Sequence, residues 1–258
     1  ERGVFNREAS IRQAAKNGRR EFNHEFGTNP CSEIILRPNQ FCNLTEVVIR
    51  ANDSLEDLTR KVRLATILGT IQSTYTKFPY LRKVWATNTE AERLLGVSLT
   101  GIMDNKLMTT ANDGLADTLE HLKNVAVSTN AEWADRLGIP HSTAITCVKP
   151  SGTVSQLVDS SSGIHARHSP YYIRTVRGDN KDPLTEFMKA QGIPNEPDVM
   201  KPDATTVFSF PMQSPMGAVH TADMTALDQL EMWLMYQRHW CEHKPSVTIN
   251  VKADEWLE

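Results

Sequence analysis

The chain has 258 residues, 40% apolar and 23% charged, which is ordinary globular usage and enough for one large domain or two small ones. Its 28 Lys+Arg against 31 Asp+Glu leave a net charge of −3, so there is no global basic field for direct nucleic-acid binding. No stretch approaches the roughly 20 apolar residues of a membrane span, no signal peptide is visible, and four Cys at scattered spacings make no disulfide framework. A reducing, cytoplasmic setting is the expectation.

Residues 1–28 are polar, with a short helix expected over Glu8–Lys16 and a stop at Asn17-Gly18. Arg19-Arg20 reads as a solvated turn or a nucleic-acid contact. Gly27 then frees the chain to turn into Asn29-Pro30-Cys31-Ser32-Glu33, with Phe41-Cys42-Asn43-Leu44 following. In an extended segment alternate residues share a face, so Asn29, Cys31 and Glu33 would form one row of amide, sulfur and proton acceptor. Such a row suits chemistry on a polyol held across it. A lone Cys is most often a small buried hydrophobe, and with His24 nearby the two thiols also read as half of a zinc site.

Thr45–Arg50 is expected as a strand. Helices are expected over Leu55–Thr74, Leu81–Leu95 and Asp113–Leu137, the last ended by Gly138-Ile139-Pro140. Gly96–Gly101 fits a tight strand or a packed turn. Thr143–Val148 reads as a short buried strand running into Lys149-Pro150-Ser151-Gly152-Thr153-Val154-Ser155. Gly, Ser and Thr leaving a strand can aim backbone N–H groups and hydroxyls at an anion, although the GxxxxGK[ST] pattern is missing. Beyond it, strands are expected at 171–177, 205–210 and 246–251, helices at 183–191 and 225–239, and a Pro-rich loop at 193–203. His239, Cys241 and His243 lie close in sequence, but helical spacing puts 239 and 243 on one face with 241 elsewhere; no metal is assigned. The alternation of strands and helices argues an α/β fold with a largely parallel sheet.

The Asn29–Glu33 and Phe41–Leu44 stretches resemble the active-site finger loop of the ribonucleotide reductase large subunit, most closely the adenosylcobalamin-dependent class II family. The similarity runs from Gly3-Val4-Phe5-Asn6-Arg7 to Ser246-Val247-Thr248-Ile249. It takes in the 150–155 turn, Asp159-Ser160-Ser161-Ser162-Gly163-Ile164-His165 and Tyr171-Tyr172-Ile173-Arg174. The resemblance implies that residues 1–258 are the C-terminal part of a ten-stranded α/β barrel with a central finger loop. It implies reduction of ribonucleotides to deoxyribonucleotides, as DNA precursors, by thiyl-radical chemistry. Cys31 would be the thiyl residue, Glu33 the base for the 3′-OH, Asn29 the group orienting the sugar hydroxyls, and Cys42 one of a redox thiol pair whose partner lies upstream. Ser151, Gly152, Thr153 and Val154 would bind the substrate's phosphates. Adenosylcobalamin is the implied cofactor. A ribonucleotide, a thioredoxin-like reductant and the missing half of the barrel or a second copy are the implied partners. The alternatives are a class I-type subunit served by a separate radical subunit and an inactive nucleotide-phosphate-binding fragment. The first residue is not Met and Asp254–Glu258 reads as the opening of an unfinished helix, so a fragment or split-gene product, inactive alone, is the expectation.

Overall fold

Caps and stops in the sequence set where each helix begins and ends in the computed structural model, which describes residues 6–256. α1 (Arg7–Ala15) starts at Asn6, whose side chain accepts from Ala9 N at 2.9 Å. β1 (Gly27–Thr28) and β2 (Ile35–Leu36) form an antiparallel hairpin. β3 (Asn43–Val48) leads to α2 (Leu55–Gln72), opened by a reciprocal capping box between Ser54 and Asp57. α3 (Lys83–Glu92) and β4 (Leu95–Thr100) follow. α4 (Asp113–Leu137) runs from an Asn112 cap to Gly138, whose φ of 65° ends the helix as glycine allows. β5 (Thr146–Cys147) and the single turn α5 (Val154–Leu157) come next.

The chain forms two compact units, Glu1–Arg167 with Gly217–Glu258, and His168–Met216. The second contains β6 (Tyr171–Asp179), α6 (Pro183–Ala190), β7 (Asn195–Pro197) and β8 (Thr205–Gln213). Its sheet is antiparallel in the order β6-β8-β7. α7 (Ala226–His239), opened by a Thr225–Asp228 capping box, belongs to the first unit. No helix among the described residues is long and apolar enough to cross a membrane.

The α/β class holds, with four local corrections. Only the sheet β3-β4-β5 is parallel; the other two are antiparallel. The strand expected over 143–148 narrows to two residues, and the loop expected at 193–203 contains β7. The strand expected at 246–251 is irregular, touching the sheet only through a Val148–Pro245 bridge. Pro245 has no N–H for a ladder. Beyond it the backbone is taken by side chains: Thr248 N donates to His165 Nε2 at 2.9 Å, and Asn250 N to Gln229 Oε1 at 3.0 Å.

The two faces of the parallel sheet differ in chemistry. Val47, Ile49, Leu95, Val97 and Leu99 join Leu58 and Val62 of α2, Leu115, Leu119 and Leu122 of α4, and Tyr236 of α7 in one apolar core. The register pairs Leu44 with Gly96, Glu46 with Ser98, and Ser98 with Cys147, so the opposite face is largely polar. The β1–β2 hairpin packs on that face. A Cβ on Gly96 would collide with Leu44, lie 3.1 Å from Ile34 Cδ1 and 3.4 Å from Cys147 Sγ. Glycine is what admits the hairpin.

Arg20, expected in a solvated turn or at a nucleic acid, is instead buried. Glu92 accepts from Arg20 Nε at 3.0 Å and Nη2 at 2.8 Å, and from Gln40 Nε2 at 2.6 Å, with Arg37 at 3.1 Å. Burial works to raise the Glu92 pKa, but the bonds and charges of Arg20, Gln40 and Arg37 outweigh it and hold the carboxyl below its usual range. Arg20 Nη1 also donates to Ile35 O at 2.9 Å, so the cluster ties the hairpin to the end of α3. Glu92→Ala leaves two guanidinium groups unmatched in the interior and is expected to destabilise the chain by about 3–5 kcal/mol in urea titration.

Candidate active site

The Asn29–Glu33 stretch is the tip of the hairpin and not an extended row. Ser32 N donates to Asn29 O at 2.9 Å, Ile34 N to Asn29 Oδ1 at 3.0 Å, and Asn29 N to Ile34 O at 3.3 Å. Ser32 adopts a φ of 64°. The backbone therefore reverses between Asn29 and Glu33, and the three side chains cannot share a face as in a strand. Cys31 is exposed at the turn, Glu33 is fully buried, and the Asn29 side-chain oxygen is used inside the turn, which leaves its NH2 for a ligand. A cavity of about 650 Å³ adjoins the hairpin, lined by Asn29, Ser32, Gln13, Trp233, Gln237 and Lys244 among others.

Residues far away in sequence hold the tip. Lys244 N donates to Glu33 O at 3.0 Å. His243 Nδ1 accepts from Ile35 N at 3.4 Å while Nε2 lies 2.9 Å from Leu95 O, an arrangement that requires the proton on Nε2. Burial, with Arg20 nearby, pushes the His243 pKa down to about 3, so it is a neutral clamp. Of the neighbouring residues, His239 pairs with Glu120 at 3.2 Å and Cys241 is buried as a high-pKa thiol. His24 pairs with Glu21 at 3.2 Å. Among the described residues no group of three His, Cys, Asp or Glu is placed to hold a metal.

Below the tip lies a cluster of ionisable groups on the polar face of the sheet. Lys149 Nζ is 3.2 Å from Glu33 Oε1, while Glu33 Oε2 is buried with no partner. The cluster includes the Cys42 thiol, which burial pushes well above its ordinary range, with smaller effects from Arg20, Glu33 and Lys149. Glu46 accepts from the Ser151 hydroxyl and interacts with Ser98 and Lys149. Burial raises its pKa to about 7, the Lys149 charge and the Ser98 bond acting in opposition.

The 150–155 segment divides between the two directions. Ser151, with a φ of 52°, is buried and gives its hydroxyl to Glu46. Gly152, Thr153 and Val154 are exposed, and their N–H groups donate to no protein acceptor before α5 begins. A Cβ on Gly152 would meet nothing within 4 Å, so the fold itself does not require glycine there. Three consecutive N–H groups without a protein acceptor thus lie at the start of the helical turn.

Sequence reasoning missed Glu46, His243 and Lys149 as parts of one cluster. A signal was present at Glu46: a carboxylate within the β-branched run of Thr45–Ile49, on the residue parity opposite to Val47 and Ile49. Nothing local marks Lys149, whose partner Glu33 is 116 positions away.

No family model matches the chain. Among curated proteins it is 30% identical over 241 residues to an adenosylcobalamin-dependent ribonucleoside-triphosphate reductase of Euglena gracilis, covering 90% of this chain and 32% of that protein. It is 28% identical over 259 residues to one from Lactobacillus leichmannii, covering 89% of this chain and 34% of that protein. Among solved structures, a B12-dependent class II ribonucleotide reductase superposes with a TM-score of 0.74 and 25% identity, over 86% of this chain and 35% of that one. The chain thus spans about a third of the length of the relatives it matches.

Glu46 gives a test of the cluster's electrostatics. Its pKa is raised from 4.5 to about 7 on folding, so the folded chain binds that proton more tightly. The stability this confers is present below pH 4.5 and is lost as pH rises to about 7. Glu46→Gln removes the loss. Relative to the parent, the variant should be more stable at pH 8 than at pH 5 by about 1–2 kcal/mol, allowing for partial exposure, in paired urea titrations.

Proposed function

We propose that this chain, whose sequence and fold are similar to about a third of the class II ribonucleotide reductases, carries the finger loop and phosphate loop of a ribonucleotide-reducing enzyme. In this reading residues 1–258 are the C-terminal portion of a ten-stranded α/β barrel. The polar face of β3-β4-β5 is the barrel interior and the β1–β2 hairpin is the finger. The observation that carries the reading is the hairpin itself. It presents one exposed thiol, Cys31, and one buried carboxylate with an unpartnered oxygen, Glu33, within three residues.

The chemistry follows from the leaving group. Hydroxide leaves a sugar carbon poorly, and hydrogen abstraction at C3′ makes loss of the 2′-OH as water feasible. Cys31, at the turn, is the thiol that a radical source outside the hairpin can reach; Cys147 and Cys241 are buried. Adenosylcobalamin, named for the relatives, supplies the one-electron chemistry when bound, and the exposure of Cys31 fits that role. The Cys31 thiyl takes the 3′-hydrogen and later returns one. Glu33 Oε2 accepts the 3′-OH proton, and the Asn29 NH2 orients the sugar hydroxyls. Cys42 and a second thiol outside this chain deliver two electrons and become a disulfide, which a thioredoxin-like protein reduces. The raised pKa of Cys42 keeps it protonated, the form that can give a hydrogen atom. The free N–H groups of Gly152, Thr153 and Val154 take the substrate phosphates, with the Thr153 hydroxyl. Ser151 shapes the turn from beneath. The missing half of the barrel, or a second copy, completes the enclosure, and four free thiols suit a reducing cytoplasm.

In the full-length polypeptide, Cys31→Ser should lower nucleotide reduction on the order of a thousandfold or more while nucleotide affinity in calorimetry stays within about threefold. Substantial turnover in that variant sinks the reading. Gly152→Val should weaken nucleotide binding about ten- to a hundredfold and leave the urea midpoint nearly unchanged, because its Cβ meets no protein atom. Unchanged affinity would reduce the loop to a turn. Thr153→Ala should lose less, since the backbone donors remain.

A further inference from the structure

Lys149 occupies an unusual position. Its backbone N donates to Ser98 Oγ at 2.9 Å on β4, and its ammonium lies 3.2 Å from Glu33 Oε1 on the hairpin. The electrostatic neighbourhood of that ammonium also includes Glu46 and Cys42 on the other strand, and Cys147. Two residues on, Ser151 is bonded to Glu46, and the free N–H groups begin at Gly152. One residue thus touches the hairpin carboxylate, the sheet face and the anion loop.

The contact is one-sided in a way that matters. Glu33 is 0% exposed, with Oε1 on Lys149 and Oε2 on nothing, and its backbone oxygen is used by Lys244 N. An interior carboxylate with an idle oxygen is costly unless something arrives to use it. A buried ion pair is also seldom a net gain over an apolar pair of similar shape. Stability alone therefore gives little reason for a lysine at this point.

We propose that Lys149 is a positioning residue for the reaction: by holding Glu33 Oε1 it orients the carboxylate so that Oε2 faces the sugar proton, and it ties that carboxylate to the loop that receives the phosphates. This rests on the assignment of Glu33 as the base.

The test uses the full-length polypeptide with its cofactor. Lys149→Ala should lower kcat about a hundredfold, the effect of misplacing a reacting group by an ångström, with nucleotide affinity within about threefold. Ethylammonium added to Lys149→Ala should restore kcat in a saturable manner, because a small cation can occupy the vacated place beside Glu33. Methylated ammonium ions too large for the gap should not. A kcat close to the parent's overturns the proposal. So does a loss that amines leave unchanged, or one that appears wholly as weakened nucleotide binding; these mark a packing lysine or a phosphate ligand. Glu33→Gln and Cys31→Ser run in parallel separate the two levels. If either keeps its turnover, the assignment of the site has failed. If both are inactive and Lys149→Ala is not, only the role of Lys149 has failed.

Discussion

Everything in the first unit depends on placing a hairpin with a carboxylate at its tip against the polar face of a parallel sheet. A hairpin of two-residue strands has almost no stability of its own, and a buried carboxylate adds a desolvation penalty. The structure meets both demands with groups from elsewhere. Lys149 approaches Glu33, Lys244 N donates to Glu33 O, His243 accepts from Ile35 N, and Arg20 donates to Ile35 O. Lys149, His243 and Lys244 are far from the hairpin tip in sequence, so the tip leans on β4, β5 and the segment after α7.

The second consequence is a division of the sheet into a structural and a chemical face. The face towards α2 and α4 is close-packed and apolar and tolerates only exchanges of similar volume. The other face carries Glu46, Ser98 and Cys147 with Lys149 just beyond β5, and the Lys149 charge acts on both Glu46 and Cys147. Gly96 belongs to that face as an absence, since the space without its Cβ is filled by Leu44, with Ile34 and Cys147 close behind.

How much of this could be read in advance differs between elements for physical reasons. α4 was legible to its ends, Asp113–Leu137, because its cap Asn112 and its stop Gly138 are local signals. The strand at 246–251 was misread because alternation and β-branching cannot show that Pro245 blocks a ladder or that His165 and Gln229 will take the backbone donors. The extended row expected of Asn29, Cys31 and Glu33 is instead a turn. The turn depends on Ser32 at positive φ and on an amide oxygen spent on Ile34 N, neither of which leaves a pattern. Arg20 read as a surface residue because its partner Glu92 is 72 positions away.

The four thiols show the same logic at the level of single atoms. Burial raises Cys42, Cys147 and Cys241, which keeps them protonated and slow to react. Cys31 is exposed at the turn. The hairpin separates Cys31 from Cys42 by eleven residues of chain and by the turn itself: the first at the apex, the second at the foot of β3 beside Glu33 and Lys149.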